Sequence, residues 1–323
     1  MKITFNTSQP FAPCSAFYIG AFKRMKEVTF YDQNYQNYDV ALFMTYDHQH
    51  IRKVRENFPH LKIGIIDPRN YKVYESTQYC DFIIIDSVEM EDYWRRSHKP
   101  MCRYIEYPDI PYVQRQHLDK DSIIIGYHGN QIHLECMAES VTPALSSLGK
   151  KHNIHLLVMH NGSPPHGSEK WYPSSVQVKH VPWSMDNYLS YLSKCDIGIV
   201  PNNLIHNVKH KTETHTQAGF NYSEDDYSLR FKMPSNPGRF TIFGKLGIPV
   251  VADFYPSALQ YLHTGRGFVA HHPAGWEHCL EKLIVSSALR QEMSQNLQDL
   301  VRSEFDFDVQ NIKLLKFLKE LYK

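Results

Sequence analysis

The chain has 323 residues, 42% of them hydrophobic and 13% aromatic, which is enough apolar material for sizeable cores and excludes a disordered chain. Its 35 lysines and arginines against 34 acidic residues give a formal net charge of +1, which argues against a general polyanion binder. No apolar run approaches the roughly 20 residues that a membrane-spanning helix needs.

Short β-branched runs alternate with amphipathic helical stretches in the first part of the chain. The predicted strands cover residues 3–5, 28–31, 40–44, 62–66, 82–85 and 102–106. The predicted helices cover residues 16–26, 50–58 and 89–96. This alternation predicts a parallel sheet with right-handed crossovers, so residues 1–112 should form one α/β domain.

The pattern restarts after a polar stretch with two prolines, within which residues 113–121 are interpreted as a linker. The predicted strands that follow cover residues 122–127, 154–159, 176–181, 197–201, 248–252 and 268–271, and the predicted helices cover 133–148, 185–194, 237–246 and 256–262. Residues 122–300 should form a second α/β domain, interrupted by a polar insertion at 202–233. Residues 301–323 should form a helix able to pack back on the first domain. The predicted fold is therefore two doubly wound Rossmann-like domains facing a cleft, with a helical C-terminal tail.

Two segments of the second half are candidates for binding an anion. In the first, Gly126, His128, Gly129 and Asn130 close a predicted strand, and the glycines allow a ligand to approach the backbone. A tight turn with no ligand fits these residues equally well. The second surrounds a predicted helix start and suits a diphosphate, although a capped surface helix is the alternative. Its residues are Arg230, Lys232, Ser235, Asn236, Gly238 and Arg239.

The motifs after this helix start give the chain a resemblance to a known family. Residues 247–252 read Gly-Ile-Pro-Val-Val-Ala, residues 265–268 read Gly-Arg-Gly-Phe, and Trp276 follows. With Asp196 and Pro201 upstream, this order resembles the nucleotide-sugar half of group-1, family-4-like glycosyltransferases of the B fold. The resemblance covers residues 122–283. The Glu-x7-Glu pair of many members is absent, since its positions fall on Pro234 and Ile242.

The resemblance implies a hexosyltransferase-like enzyme of polysaccharide biosynthesis. It would move a sugar from a nucleotide-sugar donor to a glycan or lipid-linked acceptor, with the leaving phosphate stabilised by basic residues and a helix N-terminus. The nucleotide sugar is a substrate, so no cofactor is expected. The resemblance implies transfer without a bound metal on the donor, and no nucleic-acid partner is expected.

Acceptor-side groups are expected on loops after the strands of the first domain, at the carboxyl edge of its sheet. The candidates are Ser8, Gln9, His50, Asp67 and Arg69, with His48 and Asp86 as candidate catalytic bases. Structural roles such as helix caps are the alternative for each of them.

The sequence also bears on the cellular location of the protein and on the type of reaction. The first residues lack the pattern of a secretory signal, and the six cysteines include no C-x-x-C pair, so a cytoplasmic protein with reduced thiols is expected. Mixed aromatic and basic residues at 17–26 and 93–96 leave peripheral contact with the inner face of the membrane open. A nucleotide-sugar epimerase of the same architecture and a non-catalytic nucleotide- or sugar-binding relative are the alternatives.

Overall fold

A computed structural model describes residues 1–69, 75–130, 133–134, 136–160, 171–202 and 237–322. The described residues form two compact units. Residues 1–109 and 304–322 belong to the first unit, and residues 110–202 and 239–303 belong to the second. The segment 113–121, which the sequence predicts to be a linker, thus lies in the second unit.

The first unit is built on a six-stranded parallel sheet with the order β2-β1-β3-β4-β5-β6. Its strands are β1 (Ile3–Thr7), β2 (Val28–Phe30), β3 (Val40–Met44), β4 (Lys62–Ile66), β5 (Phe82–Ile85) and β6 (Met101–Arg103). Helices α1 (Pro13–Phe22), α2 (His48–Asn57) and α3 (Val88–Trp94) follow β1, β3 and β5, and one-turn 3-10 helices cover Tyr35–Asn37, Thr77–Tyr79 and Arg95–Ser97. The central strands are buried throughout, as is typical of a parallel sheet covered on both faces.

The second unit has a second six-stranded parallel sheet with the order β12-β11-β10-β7-β8-β9. Its strands are β7 (Ile123–His128), β8 (Ile154–His160), β9 (Gln177–Pro182), β10 (Ile197–Val200), β11 (Val250–Asp253) and β12 (Phe268–Ala270). Its helices are α4 (Val141–Leu148), α5 (Tyr188–Leu192), α6 (Gly238–Lys245), α7 (Pro256–Leu262), α8 (Pro273–Val285) and α9 (Ser287–Leu300), with a 3-10 helix at Cys136–Glu139 and a π-helix at Val301–Phe305. One face of the sheet carries the main core, in which Ile125, Leu156 and Val158 pack with side chains of α4 and α8.

The last helix, α10 (Phe307–Glu320), packs on the first unit through two amide side chains. Gln310 accepts a hydrogen bond from the backbone N–H of Ile105 (2.6 Å) and donates to its carbonyl (3.1 Å). Asn311 donates to the Ala21 carbonyl (3.0 Å) and accepts from the Tyr104 hydroxyl (2.7 Å). These bonds satisfy backbone groups at the end of α1 and after β6.

The predicted fold class is confirmed, because the structure contains two Rossmann-like units and a helical C-terminal tail. Several boundaries differ for local reasons. The predicted helix 133–148 is interrupted by the 3-10 turn at Cys136–Glu139 before α4 begins. The predicted helix 185–194 shortens to α5, which starts after a turn in which the Ser184 N–H donates to the Asn187 side chain (3.0 Å). The predicted strand 102–106 ends at Arg103, and Ile105 bonds to Gln310 instead.

Two further observations bear on the sequence analysis. In the described part of the chain, no helix is both long enough and apolar enough to cross a bilayer. The five cysteines whose side chains are described are free thiols.

Candidate functional site

The carboxyl edge of the second sheet brings together the ends of β7, β10 and β11 and the start of α6. Gly129 directly follows β7, Asn202 lies two residues after β10, and Asp253 ends β11. Arg239 is the second residue of α6. In a parallel α/β sheet, ligands bind at this edge, and the first turn of a helix offers unpaired backbone N–H groups to an anion.

Arg239 is the most unusual side chain at this edge, because its guanidinium is buried with few partners. The residue is 1% exposed. Its Nη2 donates to the Asn202 Oδ1 (2.9 Å), whereas its Nε and Nη1 have no hydrogen-bond partner among the described residues. A buried charge with two unmet donors is costly unless an anion joins it.

Other unmet polar atoms surround this guanidinium. The Nδ2 of Asn202 and the Nε2 of His128 also lack a partner within the described residues. Burial, and then the nearby charge of Arg239, lower the pKa of His128 to about 3, so its imidazole is neutral at physiological pH. Four unmet buried nitrogens therefore concentrate at one place, which indicates a polar ligand.

Gly129 provides the approach to Arg239. It is half-exposed and has a φ of +151°, which side chains rarely adopt. A Cβ placed here would lie 3.3 Å from the Arg239 Nη1 and 3.1 Å from the Tyr127 hydroxyl oxygen. The glycine therefore leaves room beside the guanidinium that any other residue would fill.

A buried network holds Asn202 in position for Arg239. The backbone N–H of Asn202 donates to the Asp253 Oδ2 (2.6 Å), and the indole N–H of Trp276 donates to the Oδ1 of the same carboxylate (2.9 Å). All three residues are at most 2% exposed. The motif residue Trp276 thus acts on the edge indirectly, through Asp253 and Asn202.

The first unit has its own polar cluster at the carboxyl edge of its sheet. Arg69 forms ion pairs with Asp67, which follows β4, and with Asp86, which follows β5. Glu106 lies nearby, and the Asp86 Oδ1 and the Glu106 Oε2 have no hydrogen-bond partner in the described part of the chain. Three carboxyl groups thus share one guanidinium.

Burial changes the protonation of this cluster. It raises the pKa of Asp86 to about 6, against the opposing effect of Arg69. Burial and the charges of Asp67 and Asp86 also raise the pKa of Glu106 well above its usual value. At least one carboxyl therefore keeps its proton near neutral pH, which is a state able to donate or accept a proton.

Comparisons with known proteins identify the fold. No family model matches the chain, and no curated protein matches it by sequence. Among solved structures, sucrose-phosphate synthase from Thermosynechococcus elongatus matches with a TM-score of 0.63 at 11% identity, over 100% of this chain and 99% of that one. Anabaena HepE in complex with UDP matches with a TM-score of 0.62 at 11% identity, over 99% and 100%.

The Staphylococcus aureus transferase TarM, solved with fondaparinux, α-GlcNAc-glycerol and UDP, matches at 9% identity and a TM-score of 0.58. That match covers 86% of this chain and 55% of TarM, so the chain spans little more than half of that protein. The chain has the GT-B fold. This agrees with the resemblance of residues 122–283.

Within this GT-B chain, the described donor-side candidates divide into two groups. Gly129, Arg239 and His128 meet at the carboxyl edge, with Gly238 at the start of α6. Gly126 instead lies inside β7, where Cys195 packs against it, and the Asn130 carbonyl accepts a hydrogen bond from Tyr127 (2.6 Å). Arg230, Lys232, Ser235 and Asn236, together with most of the insertion, lie outside the described residues.

The candidate residues of the first unit also divide into two groups, one that forms a cluster and one that does not join it. Asp67, Arg69 and Asp86 come together, as described above. His48 forms an ion-pair contact with Glu75 (2.7 Å), and His50 stacks on Tyr46 with ring centroids 4.4 Å apart. Burial lowers the pKa of His50.

The other two acceptor-side candidates lie in the loop after β1. The Ser8 hydroxyl donates to the Thr45 carbonyl (2.7 Å), and the Gln9 backbone N–H donates to the Thr7 hydroxyl (3.1 Å).

Sequence reasoning missed three residues of these two sites, Glu106, Asn202 and Asp253, and it did not predict the contact that the motif residue Trp276 makes. Glu106 is the last residue of the predicted strand 102–106, and no motif marks it. Asn202, Asp253 and Trp276 are joined only by tertiary hydrogen bonds. The one available signal is position, because Asn202 and Asp253 stand at the carboxyl ends of predicted strands.

Proposed function

We propose that the chain is a glycosyltransferase that binds the diphosphate of a nucleotide sugar at the carboxyl edge of its second sheet. The observation that carries the proposal is the buried guanidinium of Arg239, with two nitrogens that have no partner among the described residues. The GT-B fold supports it, since TarM and HepE were both solved with UDP.

The proposed chemistry follows from the charge of the leaving group. Breaking the bond between sugar and phosphate develops negative charge on the phosphate oxygens. Arg239 and the free backbone N–H groups of the first turn of α6 would stabilise that charge without reorganising. Because the protein already supplies positive charge there, we expect transfer to need no divalent metal. The proposal includes no other cofactor and no nucleic-acid partner.

The acceptor side is proposed for the first unit, with a glycan or lipid-linked hydroxyl as the acceptor. Asp86, whose pKa of about 6 suits proton abstraction near neutral pH, is the proposed base, and Arg69 and Asp67 position it. His48 is the second candidate base, although Glu75 already contacts its ring. A role in polysaccharide synthesis at the cytoplasmic face of a membrane belongs to the same proposal.

The first test is a thermal-shift screen of the whole chain with UDP, GDP, ADP, CMP and their sugars, with Mg²⁺ or with EDTA. A ligand that binds only the folded state raises the melting temperature, by the equivalent of about 2.7 kcal/mol at one hundred times its Kd. We expect one nucleoside diphosphate to give a clear shift in EDTA. If none of them shifts the protein, the proposed donor site is wrong.

Mass spectrometry of the products then separates the enzyme classes. A sugar transferred to an added glycan or lipid acceptor supports the transferase. An altered nucleotide sugar supports the epimerase alternative. Binding without either product supports a non-catalytic relative.

A further inference from the structure

A cavity lies on the other face of the second sheet, away from the main core. Its volume is about 450 Å³. The cavity is lined by the amino-terminal halves of β7, β8 and β9 and by residues of and after α5. Because the strands are parallel, this is the opposite end of the sheet from Arg239 and Gly129.

The strand register defines the floor of the cavity. Ile124, His155 and Gln177 form one cross-strand row. Leu157 and Lys179 are neighbours in the next row, since Leu157 pairs with Lys179 across β8 and β9. The floor is thus apolar at Ile124 of β7 and Leu157 of β8, carries the His155 imidazole beside Ile124, and is cationic at the edge strand β9.

The cavity is open because the helix that packs over this face of the sheet, α5, is short. Parallel sheets normally have helices over both faces. Here α5 has five residues, and Cys195 beyond it packs against Gly126 of β7. Gln177 and Lys179 on β9 therefore remain exposed.

The rim of the cavity carries positive charge that the protein does not neutralise. The Nζ atoms of Lys179 and Lys194 lie 5.2 and 5.4 Å from the ring centroid of Tyr191, so both ammonium groups make cation–π contacts with one ring. Neither forms an ion pair with a carboxylate of the described residues. The third lysine, Lys120, differs, because it bonds to Asp196 (2.5 Å).

We propose that this cavity binds a single-chain amphipathic anion. Its carboxylate or phosphate monoester would contact Lys179 and Lys194, and its apolar chain would lie on Ile124 and Leu157. At about 30 Å³ for each water-sized group, the cavity holds roughly 15 such groups, which matches a medium-length acyl chain with its headgroup. This site does not depend on the proposed glycosyl transfer.

The test is calorimetric titration of the whole chain with dodecanoate, dodecyl phosphate and the uncharged dodecanol, below their aggregation limits. We expect saturable binding of both anions and much weaker binding of dodecanol. Lys179→Gln and Lys194→Gln should each weaken dodecanoate binding about fivefold, as expected for one partly exposed charge contact. Leu157→Trp should fill the floor and abolish binding.

Lys282→Gln is the matched control, because Lys282 also lies over an aromatic ring, that of Phe268 (5.6 Å), outside the cavity. It should leave the affinity unchanged. Equal binding of dodecanol, or unchanged affinity in both Lys179→Gln and Lys194→Gln, would overturn the proposal. Binding to phosphatidylglycerol vesicles but not to free dodecanoate would also overturn it, in favour of a membrane surface. The melting temperature of each variant shows that it is folded.

Discussion

Replacing Arg239 with methionine keeps most of the apolar stem and removes a guanidinium that is only 1% exposed. Two nitrogens without partners disappear, each of which costs about 1–3 kcal/mol when buried. The Oδ1 of Asn202 loses its bond, at a cost of about 1–3 kcal/mol. At the middle of these ranges the two effects differ by about 2 kcal/mol, so we expect the ligand-free variant to match the native protein or to be more stable by about that amount.

Arg290→Met is the matched control, because Arg290 is also 1% exposed, but its Nε is its single nitrogen without a partner among the described residues. Its Nη1 donates to the carbonyls of Leu283 (2.6 Å) and Ile284 (3.0 Å), and its Nη2 donates to that of Leu118 (2.8 Å). Losing three charge-assisted bonds should cost several kcal/mol, at about 1.5–3 kcal/mol for each bond. Scanning calorimetry should therefore show a lower melting temperature for Arg290→Met and an equal or higher one for Arg239→Met.

The same scans with UDP, or with whichever nucleoside diphosphate binds the native protein, complete the experiment. Arg239→Met should lose most of the ligand-induced shift, and Arg290→Met should keep it. The reasoning fails if Arg239→Met is as unstable as Arg290→Met without ligand and still shows the full shift. Arg239 would then be a structural residue.

Three further predictions concern the two carboxyl edges. Gly129→Ala should lower the free energy of unfolding by about 1–3 kcal/mol and weaken diphosphate binding, because its Cβ would lie 3.3 Å from the Arg239 Nη1 at a φ of +151°. Scanning calorimetry measures the first effect and ligand titration the second. Trp276→Phe should lower the melting temperature and the diphosphate affinity together, because Asp253 loses its indole donor, and an unchanged affinity would contradict this. Asp86 has a raised pKa of about 6, so its contribution to stability should fall by about 2–3 kcal/mol as the pH rises from about 4 to 6. Chemical denaturation should show a smaller fall in Asp86→Asn, and an identical pH profile would refute the raised pKa.

The sequence predicted the fold well because the signal for it is local. A buried strand such as β5 is an uninterrupted β-branched and aromatic run, and the alternation with helices dictates a parallel sheet. The helix predicted at 133–148 is not continuous, because a 3-10 turn at Cys136–Glu139 precedes α4. Hydrophobic periodicity does not distinguish a 3-10 turn from the start of a helix.

The candidate site was predictable only in part, for a related reason. Gly129 and Arg239 follow recognisable strand and helix boundaries, so both were predicted. Nothing local shows that the Arg239 guanidinium is buried without an acid, because that depends on Asn202, 37 residues away. Glu106 was missed because its relation to Asp67 and Asp86 arises only when separate strands assemble.

The packing of α10 on the first unit affects how the chain folds during its synthesis. Domains generally fold as they emerge, amino-terminal domain first. Here the backbone of Ile105 and the carbonyl of Ala21 find their partners on Gln310 and Asn311, which are translated only after every residue of the second unit. The unit that is synthesised first is thus completed last, and until then its unfinished surface is open to chaperones.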